Sequence, residues 1–380
     1  MKKALYTYIL LVTLKCVNAQ ELKDKVKQLS QKVEEKFTGD TTAEPNFLMY
    51  PTIAYTPETR WEIGLVNLLL FYANKDKTNR LSELNAFTFL TQKGQYGIWI
   101  DHAVYGEKDR YFLLGNARFQ YFPLKYYGIG NNAPSENYSI VEARSIQIRE
   151  RVLTKINGNL FGGVQFDYQH LGNVNFINNT DNLPKQGSIL GMNGSNSNGL
   201  GLALVFDERK NVLNERKSRF AEAGFVHYDK VIGSSFSFTK VFIDGRWFTN
   251  GFGKNQVFAA QAISQLTFGN APFNMLSLAG GESMMRGYYL GRYRDNHLIA
   301  TQAEYRFLPF SFSKRIGAAA FLALGSVQPE IKQFNFKEIK PTGGAGLRYL
   351  IFSSKDIFIR FDVAVNKESS GYYLYIGEAF

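Results

Sequence analysis

Ile357-Phe358-Ile359-Arg360-Phe361-Asp362-Val363-Ala364-Val365 alternates along its length: every odd position is apolar, and Arg360 and Asp362 stand between them. A strand turns successive side chains to opposite faces, so this spacing places five apolar residues on one side and two charges on the other. Residues 298–307 repeat the pattern, with Ile299, Thr301, Ala303, Tyr305 and Phe307 on one face and Gln302, Glu304 and Arg306 on the other. In residues 141–153 charges fall on both faces, as expected of a strand that rises beyond a bilayer.

Turn signals divide the whole of residues 47–380 into about sixteen such segments, an even number, as single-chain bacterial barrels require. They include strands expected at 159–171, 199–209 and 371–380. The connections 123–138, 172–198, 270–296 and 328–340 are long, and all come after odd-numbered strands. Transmembrane barrels have short periplasmic turns and long external loops, so these are read as the external side.

The N-terminus explains how such a chain reaches a membrane. Lys2 and Lys3 precede a mostly apolar stretch, residues 4–14, and Val17-Asn18-Ala19 fits a small-residue cleavage site. Residues 1–19 are therefore expected to be a signal peptide. Its apolar core is too short for a spanning helix. Lys15 before Cys16 is not the small residue a lipid-attachment signal needs.

Cys16 is the only cysteine, so cleavage leaves no thiol for a disulfide, zinc ligation or nucleophilic attack. Removing Lys2, Lys3 and Lys15 takes the net charge from +11 to +8. With 32 Phe, 22 Tyr and a mean hydropathy of −0.22, the chain is aromatic without being hydrophobic overall. That balance suits strands with one lipid-facing and one polar face. No later run matches a membrane helix; the best, residues 65–73, is about half the needed length. The expected fold class is all-β, a transmembrane antiparallel β-barrel at residues 47–380, multi-pass in the outer membrane of a Gram-negative bacterium. Lipid is its first partner.

Residues 20–46 read as an amphipathic helix and linker. Leu22, Val26, Leu29, Val33 and Phe37 recur at helical spacing between Lys, Gln and Glu, and Gly39 and Pro45 mark the linker up to the barrel. The stripe fits a lumen plug, a partner-binding helix or an oligomer seam equally well.

At Gly280-Gly281-Glu282-Ser283-Met284-Met285-Arg286-Gly287-Tyr288 the chain resembles the BamA/TamA assembly-factor superfamily, whose sixth external loop carries a Val/Met-Arg-Gly-Phe/Tyr motif between strands eleven and twelve. Two further segments are similar to that family: Tyr55-Thr56-Pro57-Glu58-Thr59 to its opening hairpin, and Phe206-Asp207-Glu208-Arg209-Lys210-Asn211 to the end of its eighth strand. The resemblance implies that Met285, Arg286, Gly287 and Tyr288 fold into the lumen and that Glu304 on strand twelve holds Arg286. Gly287 is expected to turn tightly beside the wall, with Tyr288 packed against it. Tyr375, Gly377 and Phe380 look like the terminal aromatic strand that such proteins present to their insertion machinery.

Two departures from the family bear on function. Ala323 in Phe321-Leu322-Ala323-Leu324-Gly325 occupies the place of a family aspartate, so one carboxylate partner of the arginine is expected to be missing. Residues 20–46 do not accommodate even one POTRA domain, which a strand-capturing assembly factor carries ahead of its barrel.

The expected functions are outer-membrane protein assembly, insertion or translocation with envelope assembly or secretion proteins as partners, or else a plugged pore or structural subunit. Catalysis is not expected: His102, His170, His227 and His297 stand in no recognisable triad motif. No cofactor, metal, small-molecule substrate or nucleic acid is predicted, since the basic residues are spread out and Gly343-Gly344-Ala345-Gly346 precedes no helix.

Overall fold

The structure, a computed structural model, describes residues 44–178, 189–209, 214–353 and 356–380. The signal peptide and the stripe from Leu22 to Phe37 lie outside the described residues.

Alternating apolar and polar side chains satisfy two solvents at once, and the chain does this sixteen times. The first eight strands are β1 (Asn46–Thr56), β2 (Arg60–Tyr72), β3 (Leu81–Thr91), β4 (Tyr96–Tyr105), β5 (Tyr111–Tyr121), β6 (Ser139–Asn157), β7 (Leu160–Asn178) and β8 (Ser195–Asp207). The second eight are β9 (Ser218–Tyr228), β10 (Phe238–Asn250), β11 (Gln256–Gly269), β12 (His297–Phe307), β13 (Ile316–Gln328), β14 (Lys340–Phe352), β15 (Ile357–Val365) and β16 (Ser370–Ile376). Each pairs antiparallel with its sequence neighbours, and β1 pairs with β16 to close the barrel. A short strand, Leu124–Tyr126, adds to β6 beyond the end of β5.

The outer face is a belt of apolar side chains. Ile63 is 61% exposed, Leu202 53%, Leu322 56% and Leu347 61%, while their strand neighbours Glu62, Ala203, Phe321 and Arg348 are buried inside. An apolar belt around a barrel with a polar interior is the pattern of a lipid-facing wall. On β15, Arg360 and Asp362 face the lumen and Phe361 and Val365 face outward; on β12, Gln302, Glu304 and Arg306 are buried while Ile299 is exposed.

Three boundaries differ from expectation. β7 does not stop at residue 171 but runs to Asn178, and β8 begins at Ser195 rather than 199. The extra length of β7 finds partners on an equally long β6, from Glu142↔Asn175 to Ser139↔Asn178, so polar residues that read as loop complete a ladder. At ~3.3 Å per residue these 19-residue strands far exceed the ~25 Å apolar band of such barrels, so the hairpin projects past it. The last strand ends at Ile376, not at 380. Gly377, at φ +91°, turns the chain inward, and Phe380 is buried against Phe248 and Ala259.

Candidate functional site

The connection between β11 and β12 is the longest in the barrel, and it folds into the lumen. A small hairpin, Ser277–Ala279 with Tyr293–Asp295, grips its base and presents residues 280–292 as a tip. At that tip Met285, Arg286 and Tyr288 are each at most 2% exposed. Met285 packs with Leu298, Ala300, Ala323 and Val327 of β12 and β13. Gly287 adopts φ +104°, and a Cβ there would stand 2.8 Å from Thr342 Oγ1, so both the backbone and the space favour glycine. Its N–H donates to the Tyr373 hydroxyl at 2.8 Å, and its carbonyl accepts from Ser369 Oγ at 2.8 Å. Tyr288 donates its hydroxyl to the Pro341 carbonyl at 3.2 Å.

Arg286 sits at the centre of a buried charge network. Its Nη2 donates to Glu304 on β12, its Nη1 donates to Asp362 Oδ2 on β15 at 2.6 Å, and its guanidinium lies 3.6 Å from the Phe321 ring centroid. The second carboxylate that the alanine at 323 implied to be missing is therefore present, supplied by Asp362 from another strand. β15 lies only three strands from β12 around the wall, and the loop tip folded inside the barrel places Arg286 where the inward-facing carboxylates of both strands reach it. Asp362 also accepts from Arg348 at 2.6 Å and from Arg360 at 2.8 Å. Glu304 accepts from Arg306 at 2.7 Å, and Glu378 holds Arg348 at 2.9 Å. Four arginines thus share three carboxylates, joining loop, β12, β14, β15 and the residues after β16. Charge-assisted pairs of this kind are strong only when desolvated and geometrically fixed, and both conditions hold here.

The tip is also held from the far side of the β1–β16 seam. Glu58, on the turn between β1 and β2, accepts the Leu290 N–H at 2.6 Å. Burial pushes the Glu58 carboxyl up to about 7, with the charge of Glu282 adding to the effect and the Leu290 hydrogen bond opposing it. At the end of β8, Asp207 accepts two bonds from the Arg209 side chain, at 3.0 and 2.9 Å.

The other sequence-predicted residues are dispersed. Tyr375 faces the lumen beneath Arg360, 5.2 Å from ring centroid to guanidinium. Phe380 is not on a strand: its carbonyl accepts from Arg306 Nη2 at 3.2 Å and its ring lies under the same arginine. The four histidines stand on β4, β7, β9 and β12. His102 meets Glu150, His170 meets Asn196 and His227 meets Thr239.

The closure of the barrel is uneven. β1 pairs with β2 from Asn46↔Leu70 to Thr56↔Arg60, yet across the β1–β16 seam the registered partners are Tyr55 and Leu374 alone. In that register β16 ends opposite Ile53, and because the chain turns inward at Gly377 no β16 residue is registered opposite residues 47–52 among the described residues.

Sixteen antiparallel strands, an apolar outer belt, a charged lumen and a long loop clamped inside it define an outer-membrane-type β-barrel. Its fold is that of the BamA and CdiB barrels. It is similar to BamA from Haemophilus ducreyi lacking POTRA domains 1-3 (TM-score 0.58, 12% identity, covering 93% of this chain and 78% of that one). It is also similar to CdiB from Escherichia coli (TM-score 0.55, 12% identity, 88% of this chain and 64% of that one) and to CdiB from Acinetobacter baumannii (TM-score 0.54, 12% identity, 87% and 59%). The chain thus spans less than two thirds of either CdiB. No protein-family profile matches the sequence, and no curated protein does.

Proposed function

We propose that this barrel works in the outer membrane of a Gram-negative bacterium, assisting the assembly, insertion or translocation of polypeptides alongside envelope assembly or secretion proteins, with no catalytic role of its own. The observation that carries this reading is the seam. Residues 47–52 of β1 present backbone donors and acceptors on an edge that lies beyond the end of β16, and such an edge is a template for an incoming strand. The clamp on Arg286 keeps the loop inside while the seam stays weakly closed, so the lumen wall can part at one place without the rest of the barrel unravelling.

The test is reconstitution into liposomes, with the insertion rate of a urea-unfolded outer-membrane barrel as readout. Tyr55→Cys with Leu374→Cys, in a chain with Cys16 replaced, provides a redox lock, since registered Cα partners lie at disulfide distance. Faster insertion than into empty liposomes, lost on oxidation and regained on reduction, is the expected result. Equal rates with and without the barrel in both redox states would sink the reading. The alternative, a plugged pore or structural subunit that moves no polypeptide, is favoured by the complete burial of Arg286 and its partners, and it would then stand.

A further inference from the structure

Seven arginines among the described residues are buried to less than 9% exposure, and six of them hold a carboxylate: Arg151, Arg286, Arg292, Arg306, Arg348 and Arg360. Arg294 is the seventh, 5% exposed, and it has none. It stands on the second strand of the small hairpin at the base of the lumen loop. Its Nη1 makes one long bond, 3.3 Å, to the Phe273 carbonyl, its Nε has no partner, and the Tyr126 ring centroid lies 4.7 Å from the guanidinium. A guanidinium offers five N–H donors, and a buried cation left this bare is costly unless something completes it. Burial lowers its pKa to about 10, which leaves it charged at neutral pH.

Beside Arg294 is a half-open cavity of about 150 Å³ at the long-loop end of the lumen, lined by β5, β6, β7 and the loop itself. At ~30 Å³ per water, it has room for a small polyatomic ion. No aspartate or glutamate lines it. The polar groups that do include Gln120, Gln147, Ser145 and Asn274. Trp99 Nε1 donates to Gln120 Oε1 at 2.6 Å. An indole N–H is donor only, so the Gln120 carbonyl is committed to it and the amide NH2 is left over. Asn274 likewise accepts from Ser195 Oγ at 3.1 Å through its carbonyl, leaving its NH2. A fixed cation and surplus donors around a cavity without carboxylates is the chemistry of an anion site.

We propose that Arg294, with Gln120 and Asn274, forms a binding site for one small oxyanionic group, a phosphate or carboxylate, at the long-loop mouth of the barrel. The anion completes the arginine's hydrogen bonds and ties the loop to the β5–β7 wall, next to the place where Gly130 N–H already donates to the Arg294 carbonyl at 2.8 Å.

The experiment is calorimetric titration of the full barrel in neutral detergent, at constant ionic strength, with inorganic phosphate, with acetate and with lysophosphatidic acid. Saturable one-to-one binding of phosphate or acetate is expected, with chloride inert, and binding confined to lysophosphatidic acid would assign the same site to a lipid headgroup. Arg294→Met should weaken binding about tenfold or more. Asn274→Asp guards against a folding failure: it keeps the acceptor for Ser195, places a carboxylate in the cavity to satisfy Arg294, and is expected to raise thermal stability while abolishing binding. No saturable binding of any of the three probes, or binding unchanged in Asn274→Asp, would overturn the site.

Discussion

Arg286 and Asp362 make opposite predictions although they share a hydrogen bond. The buried network holds Arg286, Arg306, Arg348 and Arg360 against Glu304, Asp362 and Glu378, an excess of one positive charge. Removing Arg286 brings the charges into balance, with Glu304 still paired to Arg306 and Asp362 to Arg348 and Arg360. Removing the charge of Asp362 leaves four cations on two carboxylates. Breaking one partner of a buried pair costs about 3–5 kcal/mol, so Arg286→Ala should fall at the low end and Asp362→Asn at or above the high end. Urea unfolding midpoints in detergent give the ranking, and the reverse order would refute the charge count. Glu58 carries a second prediction at this scale. Its carboxyl titrates near 7 in the fold against about 4.5 when free, so the folded state takes up a proton in that window. The tip is then held most firmly below pH 4.5, loses that support as pH rises to about 7, and changes little above. Hydrogen exchange at the Leu290 amide should quicken between pH 5 and pH 8 in the native barrel, and Glu58→Gln should remove the pH dependence beyond the intrinsic exchange rate.

At the scale of elements, the contrast between the two edges of β1 is open to direct measurement. The β2 side is laddered along the whole strand, whereas the β16 side is registered at Tyr55↔Leu374. Amides of residues 47–52 that point to the seam should exchange faster than those pointing to β2, and uniform protection along β1 would show the seam to be closed. The alternation that identified β12 and β15 was legible because each strand separates lipid from lumen with a period of two. The extra length of β7 was not legible, since Asn175 and Asn178 have loop chemistry and only the length of β6 gives them partners, past a bulge at Asn173. The C-terminal segment misleads for a similar reason: Tyr372-Tyr373-Leu374-Tyr375-Ile376 is strand, but the burial of Phe380 against Phe248 draws the next residues off the wall.

For the molecule as a whole, the outer belt predicts an asymmetric response to charge. Leu322 and Leu347 are more than half exposed on the outer face, with Phe321 and Arg348 beside them buried within. Leu322 is the middle residue of β13, so an arginine there should cost about 2–4 kcal/mol, the cost at the bilayer midplane. The check is urea unfolding in lipid vesicles. A soluble protein would tolerate Leu322→Arg at an exposed site, so a neutral result in vesicles would contradict the membrane-spanning reading.

Strand number, the inward and outward faces, and the loop that carries Met285-Arg286-Gly287-Tyr288 were all legible in the order of residues, because side-chain alternation and turn chemistry are local. The same alternation marked Asp362 as lumen-facing, but not as a partner of Arg286. That pairing spans 76 positions and exists only once the loop carrying Arg286 folds into the lumen against the inner faces of β12 to β15. The uneven seam, the unpartnered Arg294 and the inward turn at Gly377 likewise depend on what closure places across the lumen, since a residue's face is set by its own strand and its partner by the whole circumference.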